Sequence, residues 1–322
     1  MDIFEGRAAR PMLIFGDSEP FDSDDYQYEL KMDGERCLAY LDKGMVELVN
    51  RRGRHPLSQF PEFADLHRQA KKRCIVDGEI IVGGGGKAEF ELVKRRALTR
   101  DPRTVKRLAV EHPGTFVALD ILYAGKEQIT RLPLTERQRI LRENIIEGGG
   151  MAVVRSVDGH GIEFFRLVRE KGLEGAIAKR KDSVYRMGRR TRDWTKFKNW
   201  VESDFVICGY VPSERSSVVS LILGQYEDSG ELVYKGRVVL GANRREFDAV
   251  RGVRPAPGHP FREEPPDGCA GAIWLAPQLV CRAGFMCWTT NRRLRQPFFK
   301  ELQPGKDPRT AREPAGDAMA CC

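Results

Sequence analysis

From Val201 onward the chain offers little but short strand-like runs: DFVICGYV, VVSLILGQY and ELVYKGRVVLG, one short helical stretch near Arg245 to Val253, then further strands over 272 to 288. About five strands with a single helix in so short a span point to a small β-barrel. Before residue 200 the periodicity is different. CLAYLD at 37 to 42 and MVELVN at 45 to 50 alternate apolar and polar residues around a Lys43-Gly44 turn, which predicts a hairpin. CIVDGEIIV at 74 to 82 and FVALDILY at 116 to 123 read as core strands bounded by glycine. Helices come between them. Thr135-Glu136-Arg137-Gln138 fits a capping box opening LTERQRILRENII, and GIEFFRLVREKG at 161 to 172 ends on a C-capping glycine, Gly172.

The expected architecture is therefore an α+β domain of mixed and antiparallel sheets with helices over residues 1–200, then an all-β domain over 201–308. An OB-fold is the commonest barrel of that size in nucleic-acid proteins. The small, polar tail over 309–322 is expected to be disordered. A chain of 322 residues with 41% hydrophobic content suits two domains. No run approaches the roughly 20 apolar residues of a membrane helix, and the amino terminus lacks a signal peptide's apolar segment. The expectation is a cytoplasmic monomer associated with the nucleoid and with no membrane. The eight cysteines form no CxxC pair and suit a reduced compartment; Cys321 and Cys322 read as the end of a flexible tail.

The net charge of +8, from 54 basic and 46 acidic residues, favours an anionic partner. Its location says more. Residues 179 to 198 hold nine Lys or Arg, among them Arg186, Arg189, Arg190 and Arg192, against two Asp, a local balance of +7.

The sharpest local feature is Lys31-Met32-Asp33-Gly34-Glu35-Arg36, a lysine at a strand edge followed by a glycine turn and an arginine. A lysine amine attacks phosphorus only when neutral, a state that neighbouring cations favour. Further elements follow in order: Arg51-Arg52-Gly53, Asp77-Gly78-Glu79, Leu119-Asp120, Glu174-Gly175-Ala176-Ile177-Ala178-Lys179, and Trp194-Thr195-Lys196-Phe197-Lys198. Each alone has a bland reading: a hairpin glutamate, a helix-end charge, a solvated basic loop. Lys196 and Lys198 alternate on one strand, so both face the same side and can reach one phosphate.

This ordered set resembles the covalent nucleotidyltransferases: ATP-dependent DNA ligases, RNA ligases and messenger-RNA capping enzymes. The resemblance implies a nucleotidyltransferase (adenylation) domain over 1–200, with Lys31 as the nucleophile that carries AMP. It implies nucleotide contacts from Glu29, Arg36, Arg51, Glu79, Leu119, Lys179, Lys196 and Lys198, and a Mg2+ or Mn2+ ion held by Glu174 and Glu79. Arg51, with Arg186, Arg189, Arg190 and Arg192, would grip DNA phosphates without reading sequence. Leu294 to Leu302, with Trp288-Thr289 before it and Lys306-Asp307 after it, resembles the segment closing the OB domain of bacterial ATP-dependent DNA ligases, including those of end-joining repair. Arg295 and Lys306 belong to that closing motif. Two departures stand out: Leu119 occupies a place usually held by phenylalanine, and the final motif, commonly RxDK, keeps only Lys306, which leaves Arg293 or Arg295 to assist.

The implied activity is ATP-dependent sealing of 3'-OH/5'-phosphate nicks in duplex DNA, in repair, replication or recombination. End-binding or polymerase partners would come from separate chains. Two alternatives remain, an RNA ligase or GTP-using capping-type enzyme and a nucleic-acid-binding homologue without catalysis; Glu29, two residues before Lys31, argues for adenine. No P-loop run exists. Gly83 to Ala88 formally fits GxGxxA, but its place among strand-like runs predicts a hairpin turn rather than a dinucleotide site.

Overall fold

The computed structural model describes residues 2–83, 90–212, 219–241, 244–265 and 267–313. They form two compact units, one ending at Asn199 and one beginning at Trp200.

The first unit holds two principal sheets. One runs in the order Met45–Asn50, Glu35–Asp42, Cys74–Val82, Gly114–Ala124, with Glu127–Gln128 and the parallel Met151–Val153 both pairing to Gly114–Ala124. The other is antiparallel throughout, in the order Trp194–Lys198, Gly175–Arg180, Ser23–Leu30, Ser156–Gly159. Period-two alternation decides what each sheet buries. On the first, Cys37, Ala39, Leu41, Val76 and Phe116 join Phe60, Phe63 and Leu141 in one core. Full burial of a side chain of that size stabilises by roughly 1.5–3 kcal/mol. On the second, Tyr28, Ala176, Ala178 and Phe197 pack with Phe165 and Val168 of the helix Gly161–Glu170. The opposite face of the first sheet is divided: Leu38, Tyr40 and Ile75 pack with Phe4, Met12, Tyr123 and Trp194 in a second apolar cluster, and Arg36, Asp77 and Glu79 share that face.

The hairpin of Glu35–Asp42 and Met45–Asn50 forms as its alternation predicts, with Gly44 at φ 72° in the turn. Gly172, at φ 61°, ends the Gly161–Glu170 helix as expected. The N–H of Leu173 bonds the carbonyl of Val168 at 3.0 Å and that of Gly172 bonds Arg169 at 2.9 Å, the double closure of a left-handed C-terminal cap. The capping box at Thr135 does not form. The helix is Leu134–Asn144 with Pro133 at its N-cap and no side-chain cap. Thr135 lies inside the first turn and its N–H bonds the carbonyl of Lys181 at 3.2 Å.

Two helices were not anticipated, Phe90–Leu98 and Pro102–Glu111. The second carried a readable signal: Asp101 accepts from the Thr104 N–H at 2.8 Å, with Pro102 at the first position. The glycine run is therefore followed by a helix rather than a returning strand, although Gly84 to Ala88 lie outside the described residues. Cys74–Val82 is antiparallel to both neighbours, unlike the parallel strand of a dinucleotide-binding unit.

In the second unit five antiparallel strands run in the order Leu232–Leu240, Val219–Tyr226, Val201–Pro212, Ile273–Phe285, Phe298–Gln303. The helix Arg244–Arg251 falls between the third and fourth in chain order. Register shifts at Ile207/Gly209, Leu223/Gly224 and Arg282/Ala283 bend the strands, as curling into a small barrel requires. Phe205, Leu221, Leu223, Phe285 and Trp288 fill it, and the architecture is that of an OB-fold.

Disorder from residue 309 is corrected as far as Glu313. A short turn spans Pro308–Thr310, Ala311 is buried, the Tyr226 N–H bonds the Ala311 carbonyl at 2.9 Å, and Glu313 pairs with the buried Lys235 at 2.8 Å. One buried apolar contact and one buried ion pair are enough to hold so short a segment. Cys37, Cys74, Cys208, Cys269 and Cys281 are free and buried. No helix among the described residues is long and apolar enough to cross a membrane.

Candidate active site

Three ranks of side chains cross the polar face of the four-stranded sheet. Cross-strand registers align Glu29 with Ile177 and Ile177 with Lys196; one step along, Gln27, Lys179 and Trp194 align. One step the other way, Gly175 pairs with Lys198, and the Lys31 N–H bonds the Gly175 carbonyl at 2.9 Å. Alternate residues of a strand share a face, so Glu29, Lys31, Lys179, Lys196 and Lys198 all start from one side of the sheet. Two motif glycines are explained by close approach. A Cβ at Gly34 would lie 2.2 Å from the Ile80 carbonyl oxygen, and one at Gly175 would lie 2.2 Å from that of Phe197.

The six-stranded sheet supplies the facing wall. Arg36 and Glu79 are direct cross-strand neighbours, with Asp77 paired to Leu38 on the same face. Arg36 makes a bidentate ion pair with the buried Asp77, at 2.6 and 2.7 Å. The Tyr185 hydroxyl donates to the same carboxylate and accepts the Met12 N–H at 2.8 Å. Between the sheets lies a pocket lined by Glu29, Lys31, Met32, Arg36, Glu79, Leu119, Ile177, Lys179 and Trp194, with Ile14 and Leu30.

Inside it, Lys31 Nζ pairs with Glu174 Oε1 at 2.5 Å. The nearest partner of the proposed nucleophile is thus an anion, where the sequence reading looked for cations. Cations are sensed across the sheet at Lys198: burial first, then Lys196 and Lys31, depress its amine below the ordinary lysine value, with Asp17 and Glu174 opposing. Lys196 and Lys198 converge on Asp17, at 3.1 and 3.9 Å, which is the shared face expected of them. Burial pushes the Glu79 carboxyl up to about 7 against the pull of Arg36 and Lys31. Lys179, also buried, pairs with Glu29 Oε2 at 2.5 Å and sits 4.6 Å from the Trp194 ring centroid. Leu119 is buried and packs with Val117, Val154, Met32 and Ile81, an aliphatic wall in place of an aromatic one.

Not every expected residue gathers there. Arg51 is exposed and lines a second concavity with Arg7, Arg10, Arg52 and His55, apart from the Lys31 pocket. Arg186, Arg189, Arg190 and Arg192 are exposed; Arg190 donates to the Phe15 carbonyl at 3.0 Å and Arg192 lies over the Phe15 ring at 5.3 Å. In the second unit Lys306 and Arg282 both bond Asp204. Burial works to raise that carboxyl, and the two cations outweigh it and hold it below the usual range. Arg295 pairs with Cys287 in a short antiparallel ladder, and Arg293 lies over the Tyr234 ring at 5.4 Å.

Sequence reasoning missed Asp17, Gln27, Gln138, Arg137 and Tyr185. Arg137 and Asp120, both fully buried, form a bidentate pair at 2.9 and 2.8 Å behind the Leu119 strand. Gln138 bonds Glu29 at 2.7 Å from the helix Leu134–Asn144. An arginine and a glutamine in a helix of alternating charge carry no local mark that they turn inward.

As to an ion, no three His, Cys, Asp or Glu side chains gather as a metal site among the described residues. Glu174, whose charge helps raise the Glu79 carboxyl, and Glu79 itself are a donor set of hard oxygens. A magnesium-type ion takes one or two carboxylates and completes its shell with phosphate and water, so these two residues fit one.

Comparison with known proteins gives the same family on several lines. The family model described as ATP dependent DNA ligase domain matches residues 17–198, more than half the chain, and that of the ATP dependent DNA ligase C terminal region matches 214–306. The multifunctional non-homologous end joining DNA repair protein LigD of Mycobacterium tuberculosis is 31% identical over 316 residues, covering 95% of this chain and 40% of its own length. DNA ligase C1 of Mycolicibacterium smegmatis is 28% identical over 96% of this chain and 93% of its own. A solved structure of mycobacterial DNA ligase D complexed with ATP and MES is 28% identical, with a TM-score of 0.55, over 95% of this chain and 99% of that one. The chain thus spans about 40% of the length of the end-joining relatives.

Proposed function

The chain belongs to the ATP-dependent DNA ligase family, and from that premise we propose that it seals 3'-OH/5'-phosphate nicks in duplex DNA through a lysyl-AMP intermediate on Lys31. The observation that carries this reading is the position of Lys31 Nζ, 2.5 Å from Glu174 and in one pocket with Glu29, Arg36, Glu79 and Lys179. A lysine, two further cations and three carboxylates gathered at one recess are the positioning and electrostatic parts that phosphoryl transfer requires.

In the first step the Lys31 amine, relieved of a proton, forms an N–P bond to the α-phosphorus of ATP; the bond to the β-phosphate oxygen breaks and pyrophosphate leaves. Lys196 and Lys198, now turned to Asp17, are placed by their shared face to exchange that carboxylate for phosphate oxygens. In the second step a 5'-phosphate oxygen at the nick takes the AMP and the Lys31 N–P bond breaks. In the third the 3'-hydroxyl oxygen attacks the capped 5'-phosphorus, and AMP departs. Glu174 and Glu79 would hold Mg2+ or Mn2+, which when bound offsets charge growing on the transferring phosphoryl group. Arg36, fixed by Asp77 and Tyr185, presents a rigid guanidinium to the pocket without having to order itself at the moment of reaction. The exposed arginines at 186, 189, 190 and 192, with Arg51 and Arg52, supply non-specific affinity for the DNA backbone, which weakens steeply with salt. Arg295 and Lys306 of the barrel serve the ATP-loading step.

Purified protein incubated with a singly nicked duplex, ATP and Mg2+ should give a sealed strand and a 5'-adenylated intermediate. A nicked duplex left open under conditions that adenylate the protein would reduce the reading to nucleotidyl transfer alone. Sealing of nicked RNA in preference to DNA would transfer it to the RNA ligases.

A further inference from the structure

Glu29 is held by three donors from three directions. Its Oε1 accepts the side-chain amides of Gln27 at 2.9 Å and Gln138 at 2.7 Å, and its Oε2 pairs with Lys179 at 2.5 Å. All four side chains are buried, between 1% and 4% exposed. A carboxylate offers about four acceptor positions, so one stays open, on the oxygen shared with Lys179. Lys179 has three donors; Glu29 takes one and the Leu119 carbonyl, at 3.5 Å, takes another weakly. One open acceptor beside one open donor therefore borders the pocket that both residues line. An adenine edge presents the complement, an exocyclic amine next to a ring-nitrogen acceptor. Guanine presents an oxygen where adenine has the amine, and would meet the same pair only after sliding along it. What prevents sliding is whatever fixes the carboxylate.

Resting on the reading of this pocket as the ATP site, we propose that Gln138 and Gln27 are positioning residues for nucleobase specificity: they clamp Glu29 so that its open acceptor meets adenine's exocyclic amine. The clamp is two-sided, with Gln27 on the strand Ser23–Leu30 and Gln138 on the helix Leu134–Asn144. Arg142 donates to the Gln138 oxygen at 3.4 Å, which turns the amide nitrogen of Gln138 toward Glu29. The pocket thereby borrows rigidity from a helix that contributes nothing to its lining. A purely structural role, satisfying a buried carboxylate, predicts a different pattern of effects.

The test measures covalent adduct formation by the full chain with ATP, with GTP and with purine riboside triphosphate, which lacks the exocyclic amine. Wild type is compared with Gln138→Met and Gln27→Met, whose side chains fill similar space without donors. In either variant the KM for ATP should rise about tenfold with kcat within about twofold, the scale of one hydrogen bond to a charged group. The KM for the amine-free analogue should stay the same and the preference for ATP over GTP should fall. Equal shifts for ATP and the analogue, or none for either, would overturn the clamp while leaving the ligase reading intact. No adduct with any nucleotide in the wild type would instead remove the reading on which the clamp rests. Should Gln138→Met unfold below the assay temperature, Gln27→Met gives the same comparison from the strand side.

Discussion

The two units spend their charged residues differently. In the first, ions at and behind the pocket are buried or half-buried and locked to one another: Lys31 with Glu174, Glu29 with Lys179, Arg36 with Asp77, Arg137 with Asp120. In the second, the interior is filled by Phe205, Leu221, Phe285 and Trp288, the buried Lys235 pairs with Glu313 to anchor the segment after the barrel, and the pair made by Lys306 of the closing motif with Asp204 is partly exposed. Burying an ion pair yields little net stability, because desolvation consumes most of the attraction. A unit that accepts several such pairs around one recess is organised for what it holds there, whereas the barrel is organised to stay folded.

That contrast is most directly broken by substitutions on the first side. Lys31→Ala should abolish adduct formation with labelled ATP while leaving the thermal melt near that of wild type; a persisting adduct would show that the pocket's charges serve something else. Glu174→Ala should slow adduct formation by about 10²-fold or more, the cost of losing several kcal/mol of charge stabilisation, with DNA retention at low salt largely unchanged. Equal loss of DNA affinity would mean that Glu174 acts on the DNA contact as well as on the ion.

Stability should respond just as unevenly. Arg137→Ala strands the fully buried Asp120 without its partner and is expected to cost about 3–5 kcal/mol in urea unfolding; a change under about 1 kcal/mol would deny that the buried pairs are held under tight constraint. Glu79 sharpens the comparison by pH. Its carboxyl ionises near 4.5 when unfolded and is held up to about 7 when folded, by burial first. The folded form therefore keeps the proton more tightly. The stability from this group is complete below about 4.5 and drains away as pH rises through about 7. In metal-free buffer, Glu79→Gln should gain in urea midpoint over wild type between pH 5 and pH 8; a difference independent of pH would contradict the shift. The smallest effect belongs to the second unit, where Lys306→Ala should change stability by about 0–1 kcal/mol, as for other partly exposed pairs.

How far the sequence disclosed all this varied with the range over which each signal acts. Strands of period two with glycine boundaries, such as Cys74–Val82, were legible because burial pattern and turn chemistry are local. So was the pairing of Lys196 with Lys198, since alternation places both on one face of their strand, whereas Lys31 and Glu29 were legible only through the ordered motifs and the resemblance they carry. The capping box at Thr135 failed because a neighbouring carbonyl, from Lys181, competed for the backbone N–H. Gln138, Arg137 and Tyr185 escaped because their partners are 109, 17 and 108 residues away in sequence, and nothing local distinguishes them from solvated side chains. The ordered end at Ala311 and Glu313 was hidden for the same reason, its anchors Tyr226 and Lys235 belonging to distant strands.

The central claim, that one amine in this pocket accepts AMP, is best tested by incubating the protein with ATP and Mg2+, digesting it, and locating the adduct by mass spectrometry. The account predicts a single adenylylated residue, Lys31, released as free AMP once nicked duplex is added. An adduct on Lys179, Lys196 or Lys198, or one that nicked DNA does not discharge, would contradict it.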